Sequence, residues 1–490
     1  MLWLLALLAL LVGCGGERSV SVPVKPMVVA APPPEITAFS VGSLPAAVID
    51  QQANSIVIST QEWIEGLSAL TATFTAVGTV RVGGVTQVSG STANDFHTDL
   101  AYTVISGAAA RTYTVQIRSP QTTGLPVIKI DTLDGQEITS KEDYVYTNVA
   151  LIDSDEPAYE FTHTSYTDQI RGRGNSTWSY PKKPYRLKFD KKISLFGLTA
   201  AKSWVLLANY QDPTLMMNSI AFELGRRFGF AFTPHDNPVE LFLNGQYQGS
   251  YVLTEQIQVG EGRVDIDADN GFLVELDAYY DEDPKFTTDI YELPVMIKSP
   301  EDLSDSAGYD FVKDAINGLE TALADSSFPD SGYRDLVDMD SFVDFLMVNE
   351  IVMNNEIGWP KSTYMYQDVG AKISMGPLWD FDWGFSFSGT GHQYFTSTSG
   401  LIWKHPFLAR FFDDPEFVAR YKARWASMHE QIETLPLFVA ELASRLQRSQ
   451  EQNFIRWPEA QNNGFDQEVA DLSDWLQDRV AYLDEVIPAL

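Results

Sequence analysis

Residues 171–189 read RGRGNSTWSYPKKPYRLKF, and this stretch sets the terms for the rest of the chain. With 34 Lys plus Arg against 66 Asp plus Glu, the 490 residues carry a formal charge of −32. Six cations between 171 and 188 (Arg171, Arg173, Lys182, Lys183, Arg186 and Lys188) therefore reverse the local sign. Such a patch attracts anions. Glycines let the backbone approach a phosphate, Asn, Ser and Thr supply donors, and the alternation of Tyr185-Arg186-Leu187-Lys188-Phe189 as a strand puts Arg186 and Lys188 on one face. Neither GxxxxGK[ST] nor GxGxxG occurs here, so a turn with solvated cations stays open as the other reading.

The acidic counterpart is residues 376–385, GPLWDFDWGF. If this segment is extended, Asp380 and Asp382 project from the same face, because side-chain direction repeats every two residues. Flanking aromatics, Trp379, Phe381 and Trp383, make two adjacent charges costly. A divalent cation resolves that conflict. Mg²⁺ uses one or two carboxylates with phosphate oxygens and water; an exposed acidic turn between aromatics is the alternative.

Between the two lies a third constellation. Asn349-Glu350 falls on a predicted helix, and Gly358 and Pro360 are expected to end it, leaving a polar loop that carries Glu356, Lys361 and Ser362 just before the acidic pair.

The composition excludes several classes. A surface this acidic repels a polyanion, which argues against nucleic acid. A single cysteine, Cys14, rules out an intramolecular disulfide framework or a cysteine zinc cluster. The six histidines show no HExxH-type spacing and are expected to be packed or solvent-facing, and no GxSxG elbow is present.

Residues 1–13, MLWLLALLALLVG, form an apolar run that would rise only about 20 Å as a helix, too short to span a bilayer core. It reads as a signal peptide. The junction Leu11-Val12-Gly13-Cys14 resembles a bacterial lipobox, which implies lipidation at Cys14, although no Lys or Arg precedes the run. An ordinary cleaved signal is the alternative. Residues 14–35 are Pro-rich and read as an extended tether. Short alternating runs from 36 to 118 predict an all-β sandwich, and Thr112–Ile117 resembles the last strand of small immunoglobulin-like modules. Residues 119–124 read as a linker. From Leu125 to about Asp277 strand patterns dominate, and after about Ser306 the pattern is helical, so the remainder, 125–490, is expected to be α+β with two lobes and a cleft between them.

The ordered runs RGRGNSTW with KKPYRLKFD, then SWVLLANYQDPTLMMNSIAFEL, VELFLNGQYQGSYVLTEQI, GFLVELD, KSTYMYQD and GPLWDFDWGF together resemble the spore-coat H (CotH) kinase family. That resemblance implies an atypical protein-kinase-like fold that transfers phosphate from ATP to serine of a protein. It implies that Lys188 contacts the nucleotide phosphates with Arg171 and Arg173 nearby. Glu223 would orient the lysine, and Val252–Gln256, with Glu255, would approach the adenine. Asp382 would be the metal aspartate, with Asp380 sharing Mg²⁺, Mn²⁺ or Ca²⁺.

The departure concerns the base. Family members often have Asp in the loop before the metal strand where this chain has Glu356, followed by Lys361. Glu356 is expected to accept the substrate proton or Lys361 to stabilise the transferred phosphoryl group. The function expected is an ATP- and metal-dependent phosphotransferase for a protein Ser/Thr at a bacterial cell envelope, held to the membrane by its lipid anchor alone. A non-catalytic envelope binding or structural protein is the rival.

Overall fold

The computed structural model describes residues 31–490 apart from 154–155, 301–302 and 304–305. The signal segment, Cys14 and most of the tether lie outside the described residues. The chain is mixed α+β, with an all-β region first and a helical part last. No helix among the described residues is long and apolar enough to cross a membrane.

In the all-β region a three-stranded sheet (Glu35–Val41, Leu70–Val77, Ala93–Asn94) and a six-stranded sheet share one core. Alternation builds that core. Ile56 and Ile58 from one strand, Tyr102 and Val104 from a second, and Tyr113 and Val115 from a third all point inward.

The segment 119–124, expected as a linker, is instead a packed joint. Ser119 caps a short turn, Pro120–Thr122, by accepting from the Gln121 amide, while Thr122 Oγ1 accepts from the Ser119 amide at 3.1 Å. Gln121 is bonded through its side chain to both backbone groups of Ile64, at 2.6 and 3.1 Å. Across the joint, Arg448 pairs with Asp99 at 3.0 Å, Gln61 donates to the Gln452 carbonyl at 2.7 Å, and Trp63 meets Phe242 edge-on at 5.2 Å. Local turn chemistry was legible in Ser-Pro; the distant partners were not.

Next come strands that close on themselves. Among the described residues, Val127–Thr132, Asn237–Leu243, Gln246–Glu255, Ala201–Leu207, Tyr185–Ile193, Asp168–Gly172 and Val145–Ile152 pair in that order, and the last pairs again with the first. Closure removes open edges. Ile130, Val149, Ile170, Leu187, Trp204, Leu206, Val239 and Leu253 fill the inside. Residues of opposite parity face outward, Val205 into the large core and Lys188 toward solvent.

The helix Met217–Phe228 packs between this barrel and the helical part, and Met217, Ile220, Phe222 and Leu224 enter the large core there. A five-stranded sheet (Lys285–Thr287, Pro294–Ser299, Phe272–Leu276, Thr363–Gln367, Ser374–Met375) backs the helices Ser306–Ala324 and Met339–Ile351. Long helices Pro415–Glu433, Leu435–Arg456 and Phe465–Val486 complete the core with Trp425, Leu446 and Trp475. At its centre Arg479 and Glu350, both fully buried, form an ion pair, and Arg479 also donates to the carbonyls of Glu350, Thr398 and Gly400.

Candidate active site

The basic stretch is built by two antiparallel strands in which Arg171 stands opposite Arg186 and Gln169 opposite Lys188. Ile170 and Leu187 point into the barrel, so the arginines and Lys188 point out. The Arg171 guanidinium stacks on Tyr144 at 5.2 Å, and Lys188 Nζ lies 5.6 Å from the same ring. Burial holds the Arg186 guanidinium below its usual range, and the charges of Arg171 and Arg173 push the same way. Beyond the strand, Gly174 has φ +81°, a backbone region costly for other residues, and turns the chain back so that Arg173 lies over Trp379 at 5.4 Å.

Trp379 belongs to the acidic stretch. Asp380 and Asp382 were expected on an extended segment; instead the chain leaves the strand Ser374–Met375 and Asp380 is left-handed, φ 60°. The reason is packing: Trp379 and Phe381 are both buried against Phe222, at ring separations of 6.2 and 6.4 Å, and the left-handed residue between them lets both reach the core. Both carboxylates nevertheless line one crevice, together with Arg173, Tyr180, Lys182 and Asn218.

Asn218, on the first turn of its helix, organises this loop. Its Oδ1 accepts from the Phe381 amide at 3.0 Å, and its Nδ2 donates to Asp382 Oδ1 at 3.1 Å and Asn209 Oδ1 at 3.3 Å. Tyr394 Oη donates to the Asp382 carbonyl at 2.7 Å, and Ser362 Oγ to Asp380 Oδ2 at 3.4 Å. Burial pushes Asp382 up to about 7, with the charge of Asp380 adding to it. Asp380 is raised as well, chiefly by burial, and Arg173 opposes that.

The helix Met339–Ile351 ends before Gly358 and Pro360, the residues expected to stop it. Met353 is left-handed, φ 48°, and Asn354 then caps a short turn by accepting from the Glu356 amide at 3.2 Å. Glu356 Oε1 lies 3.9 Å from Lys361 Nζ, which is held between the rings of Tyr279 and Trp383 at 5.0 and 4.8 Å. Burial, then the charge of Asp380, holds the Glu356 carboxyl well above the usual range, and Lys361 offsets this in part. Asp277, at the end of Phe272–Leu276, joins the group: burial and then Glu275 raise it to about 7, and it accepts from the Ser362 amide at 3.4 Å.

Two expectations need correction, for Glu223 and Glu255; Lys188 is exposed and, like Arg171 and Arg186, outside the crevice lining, one pleat repeat from Arg186 along the strand. Glu223 is bound to Arg226 and Arg227 of its own helix, at 3.0 and 2.8 Å, and orients no lysine. Glu255 accepts from the His235 amide and pairs with its ring at 2.7 Å; it and Val252–Thr254 belong to the strand Gln246–Glu255, leaving only Gln256 in the connection that follows.

Asn218 and Asp277 went unassigned in the sequence, and Lys182 figures there only as one of six anion-attracting cations. Lys182 is fully buried, donates to the Ser250 carbonyl and to Asn453 Oδ1, and is pulled down to about 7 by burial. A signal existed for Asp277, a carboxylate ending an apolar strand; amide positions give none. Elsewhere His163, Asp168 and Asp190 have ligand-type atoms within 4.8 Å of one another, but Asp168 already accepts from the Asp190 amide and contacts His163 Nδ1 at 2.6 Å.

A family described as CotH kinase protein matches residues 170–483, and one described as SGBP, N-terminal, matches residues 36–117. No curated protein matches the chain.

Proposed function

The chain belongs to the CotH kinase protein family, which covers residues 170–483 of its 490, and from that premise we propose that the crevice beside Asp380 and Asp382 transfers the γ-phosphoryl group of ATP to a hydroxyl of a protein acceptor. The observation that carries this reading is Arg173: a cation stacked on Trp379 in the crevice that Asp380 and Asp382 line. The proposed architecture is a two-lobed, atypical protein-kinase-like domain over 125–490, preceded by an immunoglobulin-like sandwich over 36–118. Export and a lipid anchor at Cys14, with an acceptor at the cell envelope, complete the proposal.

The donor set fits a divalent cation. Burial raises both carboxylates and the charge of Asp380 raises Asp382 further, while Arg173 and Asn218 only partly offset this, so Asp380 and Asp382 would hold Mg²⁺ or Mn²⁺. When bound, such an ion supplies charge neutralisation at the phosphoryl oxygens. Arg173 contributes a fixed positive charge to the same end. Lys361, fixed between two aromatic faces, is placed to meet charge on the transferred group. Glu356 accepts the acceptor's proton as that oxygen bonds to the γ-phosphorus and the bond from phosphorus to the β–γ bridging oxygen breaks, releasing ADP. The charge of Lys361 favours the ionised Glu356 this needs, against the burial and the Asp380 and Asp382 charges that raise it, and a cation held by those two carboxylates would offset the latter.

Purified residues 31–490 incubated with labelled ATP, Mg²⁺ or Mn²⁺ and a Ser/Thr-rich acceptor test the reading. Label transfer that Asp382→Asn abolishes supports it. Absence of transfer together with absence of nucleotide-induced thermal stabilisation leaves the binding-only envelope protein as the better account.

A further inference from the structure

Resting on the phosphotransfer reading above, we infer that Trp359 is a specificity-determining residue of that site: it receives an apolar side chain that the acceptor polypeptide carries two residues from its reacting hydroxyl. Trp359 is 69 % exposed, the most exposed aromatic side chain among the described residues. The backbone around it is fixed. Its amide donates to the Glu356 carbonyl at 3.1 Å, the Pro360 carbonyl accepts from the Ala278 amide at 2.9 Å, and both Ile357 and Pro360 are buried. A tryptophan held in water on an anchored turn forgoes the burial its rings would gain, and tryptophan is among the side chains most enriched at the energetic centres of interfaces.

Its place relative to the chemistry selects the occupant. The backbone at Trp359 is near-extended, φ −139° and ψ 88°. Pro360 is buried, and Lys361 is held between the rings of Tyr279 and Trp383. Trp359 and Lys361 therefore leave the chain on the same side, about 7 Å apart. That is one pleat repeat, the separation of residues i and i+2 in an extended acceptor. With the acceptor hydroxyl at Glu356 and Lys361, the side chain two positions away lies over the Trp359 ring. Phe272–Leu276 pairs with Thr363–Gln367, so the turns that carry Tyr279 and Trp359 leave the sheet side by side, and Tyr279, 45 % exposed, extends the apolar surface beyond Lys361. An indole face offers area and no ion pair, so a leucine gains there what an alanine or aspartate does not. Recognition falls to Trp359, and the chemistry stays with Glu356 and Lys361.

Two synthetic serine peptides, identical except for leucine or alanine at both positions two residues from the serine, test the assignment on the purified protein. The variants are Trp359→Ala, Trp359→Phe and, as a control, Leu437→Ala, a 72 % exposed site at the start of the helix Leu435–Arg456. Trp359→Ala should raise KM for the leucine peptide at least about fivefold, keep kcat within about twofold, and erase the preference over the alanine peptide. Mg·ATP affinity, titrated calorimetrically, should stay at the wild-type value, Trp359→Phe should recover most of the preference, and Leu437→Ala should match wild type. Equal kcat/KM for the two peptides in wild type, a wild-type KM in Trp359→Ala, or a fall confined to kcat overturns the assignment and leaves phosphotransfer standing. Fluorescence anisotropy of the labelled leucine peptide reads binding without chemistry. Binding that needs Trp359, without label transfer, upholds the docking residue and overturns the phosphotransfer reading; neither binding nor transfer overturns both.

Discussion

The side-chain amide of Asn218 donates to Asp382 Oδ1 at 3.1 Å, tying the first turn of a helix to an acidic loop 164 residues further along the chain. The same amide accepts from the Phe381 backbone, so Asn218 fixes both where the loop runs and how its carboxylate points.

Asn218→Ala leaves the Phe381 amide and a buried carboxylate without partners. The expected cost is about 1–3 kcal/mol of stability, measured by denaturant unfolding, with weaker Mn²⁺ binding by calorimetry. An unchanged Mn²⁺ affinity in a folded variant would contradict the positioning role.

Proton linkage gives a signed expectation. Asp382 and Asp277 are both raised to about 7 by burial, reinforced by Asp380 and Glu275 respectively. Between the ordinary carboxylate value, about 4, and about 7 the folded state binds more protons than the unfolded one, so these groups make stability fall as pH rises through that window. The cation-free protein should lose melting temperature from pH 5 to pH 8, and Asp382→Asn should flatten the slope. On the proposed function Mg²⁺ competes with the Asp382 proton, so its binding should tighten, and phosphotransfer increase, over the same interval. A slope identical in wild type and Asp382→Asn counts against the shift.

The Arg479–Glu350 pair lies in the core, where both side chains are fully buried. Arg479→Ala strands the Glu350 carboxylate, already raised to about 7 by burial, and frees the carbonyls of Thr398 and Gly400. About 3–5 kcal/mol of stability should be lost, read from the shift in a urea unfolding midpoint. Arg479→Met with Glu350→Gln should recover part of it.

Glu223→Ala removes two partly exposed pairs within one helix. The stability change should be below about 1 kcal/mol, and Mg·ATP affinity should match wild type in the same titration. A tenfold loss would restore Glu223 to the site.

How much of this was written in the sequence differs from residue to residue. The alternation in Tyr185–Phe189 and the helical spacing of Phe342, Phe345 and Leu346 carry their own periodicity, and the structure follows both. Glu223 misleads because its true partners, Arg226 and Arg227, are three and four residues on, a spacing local enough to have been read. Asp380 could not be read, since its left-handed turn answers to where Trp379 and Phe381 must pack. Closure of the barrel, Lys182 reaching Asn453, and Asn218 meeting Asp382 all join residues far apart in the chain, and local pattern says nothing about such pairs.

The packed joint at Ser119–Gly124 fixes leverage. Arg448, bound to Asp99, and Asn453, bound to the crevice lysine Lys182, lie on the same rigid helix, Leu435–Arg456. A displacement of the outer β-sheets would therefore bear on the same helix that holds Lys182 at the crevice.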